Sequence, residues 1–316
     1  MEINKEKNFA SAVIYVHNDE VNIKKTLSEI YEVLKRNFLK FEMICVNDNS
    51  DDMSNELIKE FANKVDQAVV SVVNMGFYHG VENSMNAGVD FAIGDFVFEF
   101  DSVYMDYDVN LIMEVYRKSL EGYDIVSAAP KNLQNKSSKL FYNIFNKYSG
   151  NIYKLKTERF RVLSRRAINR IGSISKTNPY RKAIYATCGM NIYCISYDNK
   201  VDDNINKTMM NRQLKNNREN LAIDSLILFT NVAYKISLIL SVVMLMFTFL
   251  TAVYTVAVYF SQNRPVEGWA PIMGLISVGF FGVFLILTLI IKYLDLILRL
   301  VFKKQKYLIS SIEKLR

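Results

Sequence analysis

The chain has 316 residues, half of them hydrophobic, and a formal net charge of +7. Its three cysteines, Cys45, Cys188 and Cys194, are an odd number without metal-like pairs, which excludes a disulfide framework and fits a reduced compartment. Two histidines exclude a histidine-rich metal centre.

Ser11 to Val16 is a short apolar run and predicts a buried strand. Ile23, Leu27, Ile30, Tyr31 and Leu34 then share one helical face. Phe41–Val46 predicts a second strand, followed by the polar turn NDNSDD and a helix over Met53–Asn63. Val69–Val73 predicts a third strand, and Asn74–Gly94 a glycine-containing loop that becomes a helix. Phe96–Phe100 is a fourth strand, Asp108–Leu120 a helix, and Ile125–Ala128 a fifth strand. This alternation predicts an α/β fold with a mainly parallel sheet. Ligands of such sheets bind beyond the carboxyl ends of the strands, where Asn47–Asp52, Asn74–Gly80 and Asp101–Asp106 fall. Further on, Ser137–Lys147 and Arg161–Ile171 have helical spacing, Tyr185–Tyr197 is β-like, and 211–235 reads as a helix leading to a membrane. No phosphate-binding loop ending in Lys-Ser or Lys-Thr is present.

Ile236–Phe260 and Gly268–Ile291 contain no charged residue, and each exceeds the roughly 20 residues that span a bilayer. The expected organisation is therefore a soluble domain over 1–210, the helix 211–235, a transmembrane hairpin over 236–291 and a basic amphipathic helix over 292–316 lying on the inner leaflet. Lys235, Lys292, Arg299, Lys303, Lys304, Lys306, Lys314 and Arg316 flank the hairpin on one side, whereas Arg264 and Glu267 cancel in its connection. Positive residues concentrate on the cytoplasmic side, so both termini and the large domain are expected there. Trp269 falls near the outer boundary, and the amino-terminal segment has no apolar signal-peptide core. The positive charge suits membrane lipids or an anionic substrate, and part of it is this positional bias. No nucleic-acid partner is expected.

Taken together, the loop segments resemble the membrane-attached branch of glycosyltransferase family 2, the polyisoprenyl-phosphate glycosyltransferases. VNDNSDDMS is similar to the family's nucleotide-binding turn, NMGFYHGVENSMNAGVDFAIGD to its Asn-x-Gly loop and following helix, FEFDSVYMDY to its Asp-x-Asp strand end, and FRVLSRRAI to its later Phe-Arg-Leu-x-Ser-Arg segment. The resemblance implies a GT-A-like domain with Asp48, Asp52, Asn74 and Gly76 at the nucleotide, with Asn47 in place of a usual Asp. It implies Asp101 as the first carboxylate of the metal motif, Mg2+ or Mn2+ as cofactor, Arg161 at the reaction centre, and a homo-oligomer, for which a tetramer is one form. Asn86, on the helix after Asn74, would stand one layer behind.

The residues also depart from that pattern. The second carboxylate of the motif is Val103, which cannot ligate a metal, and a carboxylate normally beside the acceptor phosphate is Arg159. Asp106 matches a further acidic position, and Glu158 lies next to Arg159. Glu99 and Asp101 are two apart on a strand and share one face, so a carboxylate pair is rebuilt one step upstream. Arg159, Arg161, Arg165 and Arg166 suit a lipid phosphate, because guanidinium forks match phosphate oxygens. The expected reaction is sugar transfer from a nucleotide sugar, UDP-linked, to a polyisoprenyl phosphate, with the metal weakened or replaced by arginines. Restoring Val103 to Asp is expected to preserve or raise activity. The rival reading is a pseudo-glycosyltransferase that keeps the fold as a membrane scaffold.

Overall fold

A computed structural model describes residues 5–131, 136–148, 153–174, 180–198, 269–301 and 307–315, together with isolated positions between 235 and 253. The chain forms two compact units, one made of 1–147, 151–222 and 304–316, the other of 148–150 and 223–303.

In the first unit, β1 (Ala10–Val16), β2 (Phe41–Asn47), β3 (Val69–Met75) and β4 (Phe96–Phe100) alternate with α1 (Ile23–Asn37), α2 (Ser54–Lys64) and α3 (Val81–Phe91). Then come α4 (Leu111–Leu120), β5 (Ile125–Pro130), α5 (Lys136–Tyr148), β6 (Phe160–Ser164), α6 (Arg165–Ile174), α7 (Arg181–Thr187) and β7 (Ile192–Tyr197). One eight-stranded sheet collects the strands in the order β7-β5-β6-β4-β1-β2-β3-β8, where β8 is Ile309–Lys314. Only β6 and β8 run antiparallel to their neighbours. The mainly parallel α/β expectation therefore holds.

Side-chain alternation on the strands builds a core on each face of the sheet. On β1, Ala12, Ile14 and Val16 pack with Ile23, Leu27 and Ile30 of α1 and with Ile112 and Tyr116 of α4. Val13 and Tyr15 point the other way, toward Met85 and Val89 of α3. Helix α3 lies so close to the sheet that a Cβ on Gly88 would overlap the Val13 side chain and come within 2.6 Å of Val46. This contact fixes where α3, and the loop before it, stand over the carboxyl edge.

Three expectations change. Arg161 is not on a helix: Phe160–Ser164 is a strand lying between β4 and β5, and the helix begins only at Arg165. Tyr185 ends up on α7, with β7 starting later, at Ile192. The carboxyl-terminal stretch 292–316 is not one amphipathic helix. Its first part continues the 33-residue helix α8 (Trp269–Val301), and Ile309–Lys314 pairs with the edge of β3. The helix expected over 211–235 lies, but for Lys235, outside the described residues, as does the connection after Phe260. Among the residues whose side chains are described, no helix is long and apolar enough to cross a membrane. In the second unit, Gly282 of α8 packs against Met244, so closely that a Cβ there would overlap the Met244 side chain.

Candidate active site

The carboxyl edge of the parallel strands carries two groups of polar residues. The first surrounds Asp48. Its carboxylate is fully buried and accepts hydrogen bonds from Tyr15 Oη (2.9 Å), His79 N–H (2.8 Å) and Gly80 N–H (2.8 Å). Burial, reinforced by Asp48, pushes the Tyr15 phenol far above its ordinary pKa. Asp48 thus fixes the loop between β3 and α3 rather than presenting oxygens to a ligand. Gly80, at φ 78°, opens α3 in a conformation that favours glycine. In the Asp48 turn, Asn49 takes the left-handed region at φ 53°, which Asn tolerates better than most residues.

The neighbouring candidates also serve the scaffold. Asp52 accepts from Glu20 N–H (2.9 Å) and from Ser54 N–H (3.0 Å) at the start of α2, buttressing the turn. Asn47 Nδ2 donates to Asn74 Oδ1 (3.0 Å), and Asn74 Nδ2 turns outward to Ser311 Oγ (3.0 Å) and Glu313 Oε1 (2.9 Å) on β8. Gly76 N–H donates to the Leu308 carbonyl (2.9 Å). Asn74 and Gly76 therefore hold the carboxyl-terminal strand.

The second group centres on β4. Glu99 and Asp101 share a face, while Phe98 and Phe100 enter the core on the other. Arg161, directly opposite Glu99 on β6, has no exposure and binds Glu99 Oε2 (2.5 Å), Asp101 Oδ2 (2.7 Å) and Glu158 Oε2 (3.2 Å). Arg181, at the start of α7, reaches Glu82 Oε2 (3.2 Å) from α3, Glu99 Oε1 (2.9 Å) and Asp101 Oδ1 (2.7 Å). Lys182 Nζ stands 3.7 Å from Asp101 Oδ2, beyond hydrogen-bond reach. Tyr185 Oη donates to Glu99 (2.8 Å), and Tyr153 Oη donates to Glu158 (3.0 Å). Burial alone would raise the Asp101 pKa, but the charges of Arg161, Arg181 and Lys182 more than offset it and hold the carboxyl well below its usual range.

These residues do not fit a divalent cation. Both Asp101 oxygens are taken by guanidinium groups, and Glu99 is enclosed by Arg161, Arg181 and Tyr185. Val103 is 1% exposed in the hydrophobic core, so its side chain does not face the site at all. Asp106 is bound by Arg159 Nε (2.9 Å) and Tyr197 Oη (2.7 Å). Among the described residues no group of three acidic, histidine or cysteine side chains is arranged to hold a metal.

The expected arginine cradle is dispersed as well. Arg159 binds Asp106, Arg161 lies inside, and Arg165 donates to the Gly94 and Ala92 carbonyls. Arg166 pairs with Asp124. Asn86 Nδ2 is buried without a hydrogen-bond partner. Sequence reasoning missed Arg181, Lys182, Glu82 and Tyr185. The one signal was the Arg-Lys pair opening α7, far along the chain from the strand it meets.

The family profile for glycosyl transferase family 2 matches residues 11–185. An uncharacterized glycosyltransferase of Synechocystis sp. is 28% identical over 60% of this chain and 60% of its own length. The uncharacterized glycosyltransferase YkcC of Bacillus subtilis is 24% identical over 90% and 88%. A bactoprenol glucosyl transferase of Shigella phage SfV is 26% identical over 59% of this chain and 62% of its own, so the match spans less than two thirds of the first and third relatives. A solved mannosyltransferase from Pyrobaculum calidifontis, in complex with GDP-Man and Mn2+, is 16% identical over 65% of this chain and 60% of its own, with a TM-score of 0.49, too distant to carry an argument. The profile runs from β1 to Tyr185 and so takes in β1 to β6 and the ion-paired cluster at the carboxyl edge of β4: the chain belongs to glycosyl transferase family 2.

Proposed function

We propose that the chain transfers a sugar from a nucleotide sugar, UDP-linked, to a polyisoprenyl phosphate at the cytoplasmic face of a membrane. The observation that carries this reading is the position of Asp101, at the carboxyl end of β4 among Arg161, Arg181 and Lys182. The acceptor class is supported by relatives whose names carry it. One is the bactoprenol glucosyl transferase, and another is an undecaprenyl-phosphate 4-deoxy-4-formamido-L-arabinose transferase of Proteus mirabilis, 29% identical over 40% of this chain and 39% of its own. Membrane attachment is supported by α8, whose Phe280, Phe281, Phe284, Ile290 and Ile291 are all exposed along its length.

In this reaction an acceptor phosphate oxygen attacks the anomeric carbon, and the bond from that carbon to the donor diphosphate breaks. The nucleoside diphosphate leaves with the electron pair. The nucleophile is already ionised at neutral pH, so the residues need supply position and charge rather than a base. Lys182 is the least committed cation beside Asp101 and is assigned to the diphosphate, with Asp101 orienting it.

The test is transfer of labelled sugar from UDP-glucose, UDP-N-acetylglucosamine or GDP-mannose to undecaprenyl phosphate. Wild type should form labelled lipid and Asp101→Ala should not. Equal transfer by both would remove Asp101 from the site. The scaffold reading is favoured by one observation, the guanidinium groups that occupy both oxygens of Asp101. Nucleotide binding without transfer from any donor would establish it. For orientation, a cysteine placed at Ser261 should react with an impermeant thiol reagent from outside and one at Ser310 should not. Native mass spectrometry in nanodiscs should give a homo-oligomer, and a monomer there would end that part of the proposal.

A further inference from the structure

The loop that Asp48 fixes from one side is fixed from the other by residues that follow α8. Gly76 N–H donates to the Leu308 carbonyl (2.9 Å), and Leu308 N–H donates to His79 Nε2 (3.0 Å). An N–H can donate only to an unprotonated ring nitrogen, so the His79 proton sits on Nδ1, which meets the Phe77 carbonyl at 2.5 Å. The imidazole also stacks on the Phe77 ring at 3.9 Å, and that ring is 55% exposed. On the same side Tyr307 Oη donates to Asp90 of α3 (2.6 Å), and Asn74 holds Ser311 and Glu313. One histidine thus joins three things: its own loop through Phe77, the Asp48 anchor through its backbone N–H, and the post-helix segment through its ring.

We propose that His79 is a positioning residue for donor binding, and that the segment 307–315 acts through it as a latch on the loop 76–80. This rests on the transferase reading. The loop leaves β3 at the sheet edge where nucleotides of parallel α/β folds bind. Gly80, at positive φ, gives its exit no steric restraint, so the loop's shape depends on hydrogen bonds from outside it. Asp48 supplies them at residues 79 and 80, and Leu308 supplies them at residues 76 and 79. Without the Leu308 pair the first half of the loop loses its hydrogen bonds to the segment after α8 and keeps its connection to β3 and the ring contact of Tyr78 with His17. A donor binding to the freed loop must then order it, which weakens binding without touching the reacting atoms.

Three variants of the full chain in nanodiscs test this. His79→Ala removes the ring, Leu308→Pro removes the N–H but keeps the carbonyl that serves Gly76, and His79→Gln offers an oxygen acceptor in place of Nε2. UDP dissociation constant and donor KM should rise about five- to tenfold in His79→Ala and Leu308→Pro, the size of one lost hydrogen bond. kcat and acceptor KM should stay within about twofold, and His79→Gln should recover most of the donor affinity. Amide exchange of residues 76–80, measured without nucleotide, should accelerate in the first two variants. Unchanged exchange and unchanged UDP affinity in His79→Ala would overturn the latch. So would a fall of kcat in step with donor affinity, which marks general damage. If wild type binds neither UDP nor GDP, the transferase reading and the donor role of His79 fail together, whereas the exchange result still reports on the latch by itself.

Discussion

At the scale of single residues, the site is defined by which carboxylates are free and which are already answered. Asp48, Asp52, Glu99 and Asp106 each have their oxygens occupied by the protein, and Asp101 keeps only a narrow edge toward Lys182. Val103 shows why a motif comparison misleads here. A carboxylate at this position would enter the core beside Phe100 and Tyr107 and would not rebuild a metal pair. Val103→Asp is therefore expected to lower stability by at least about 3 kcal/mol, from burial of an unpaired charge, and to lose rather than gain activity. A urea melt followed by circular dichroism checks this, and an unchanged midpoint would contradict the buried position.

Asp19, in the loop after β1, behaves in the opposite sense to Asp101. Burial lifts its pKa to about 6, above the ordinary aspartate value of 3.8. The folded state therefore holds an extra proton between those values, and stability falls as pH rises through that window. Asp19→Asn should raise stability by about 1–3 kcal/mol at pH 7.5 and by almost nothing at pH 4. Thermal melts at the two pH values would show whether the gain appears only at the higher one.

Among the elements, β1 to β4 and their helices were legible because each strand is a short apolar run bounded by polar turns, and each helix carries one apolar stripe. β6 was not legible. Phe160–Leu163 is buried on both faces, so it lacks a two-residue alternation, and it passes straight into α6 without a turn residue. Its apolar positions then merge with those of the helix and mimic one helical face. The partnership of Glu99 with Arg161 is a cross-strand register, and that of Asp101 with Arg181 joins elements 80 residues apart, so neither leaves a local pattern. The packing of α3 offers an element-scale test. Alanine in place of Gly88 gains about 1 kcal/mol of helix propensity, but its Cβ overlaps Val13 and Val46 on two central strands, at a cost of about 1–3 kcal/mol or more. Gly88→Ala should therefore lower the melting temperature, and an increase would show that α3 can slide on the sheet.

On the scale of the whole molecule, the least expected feature is that the segment after α8 returns to the sheet as β8. The charge pattern of 292–316 suggests an amphipathic helix, and nothing local shows that the last part pairs with a strand some 240 positions earlier. Deleting 307–316 should unpair the β3 edge. Amide exchange at residues 71–75 should then accelerate, and the melting temperature should drop. Protection retained there would mean that β8 is dispensable. The order of synthesis gives this pairing a further consequence. As the chain emerges from the ribosome, β1 to β7 are available long before β8, and α8 must be made in between. Throughout that interval the β3 edge offers unpaired N–H and carbonyl groups to any passing strand. Late completion of the sheet therefore places the danger of misassembly during biosynthesis, and a stall or truncation within α8 should leave a sticky, half-finished sheet rather than a folded domain.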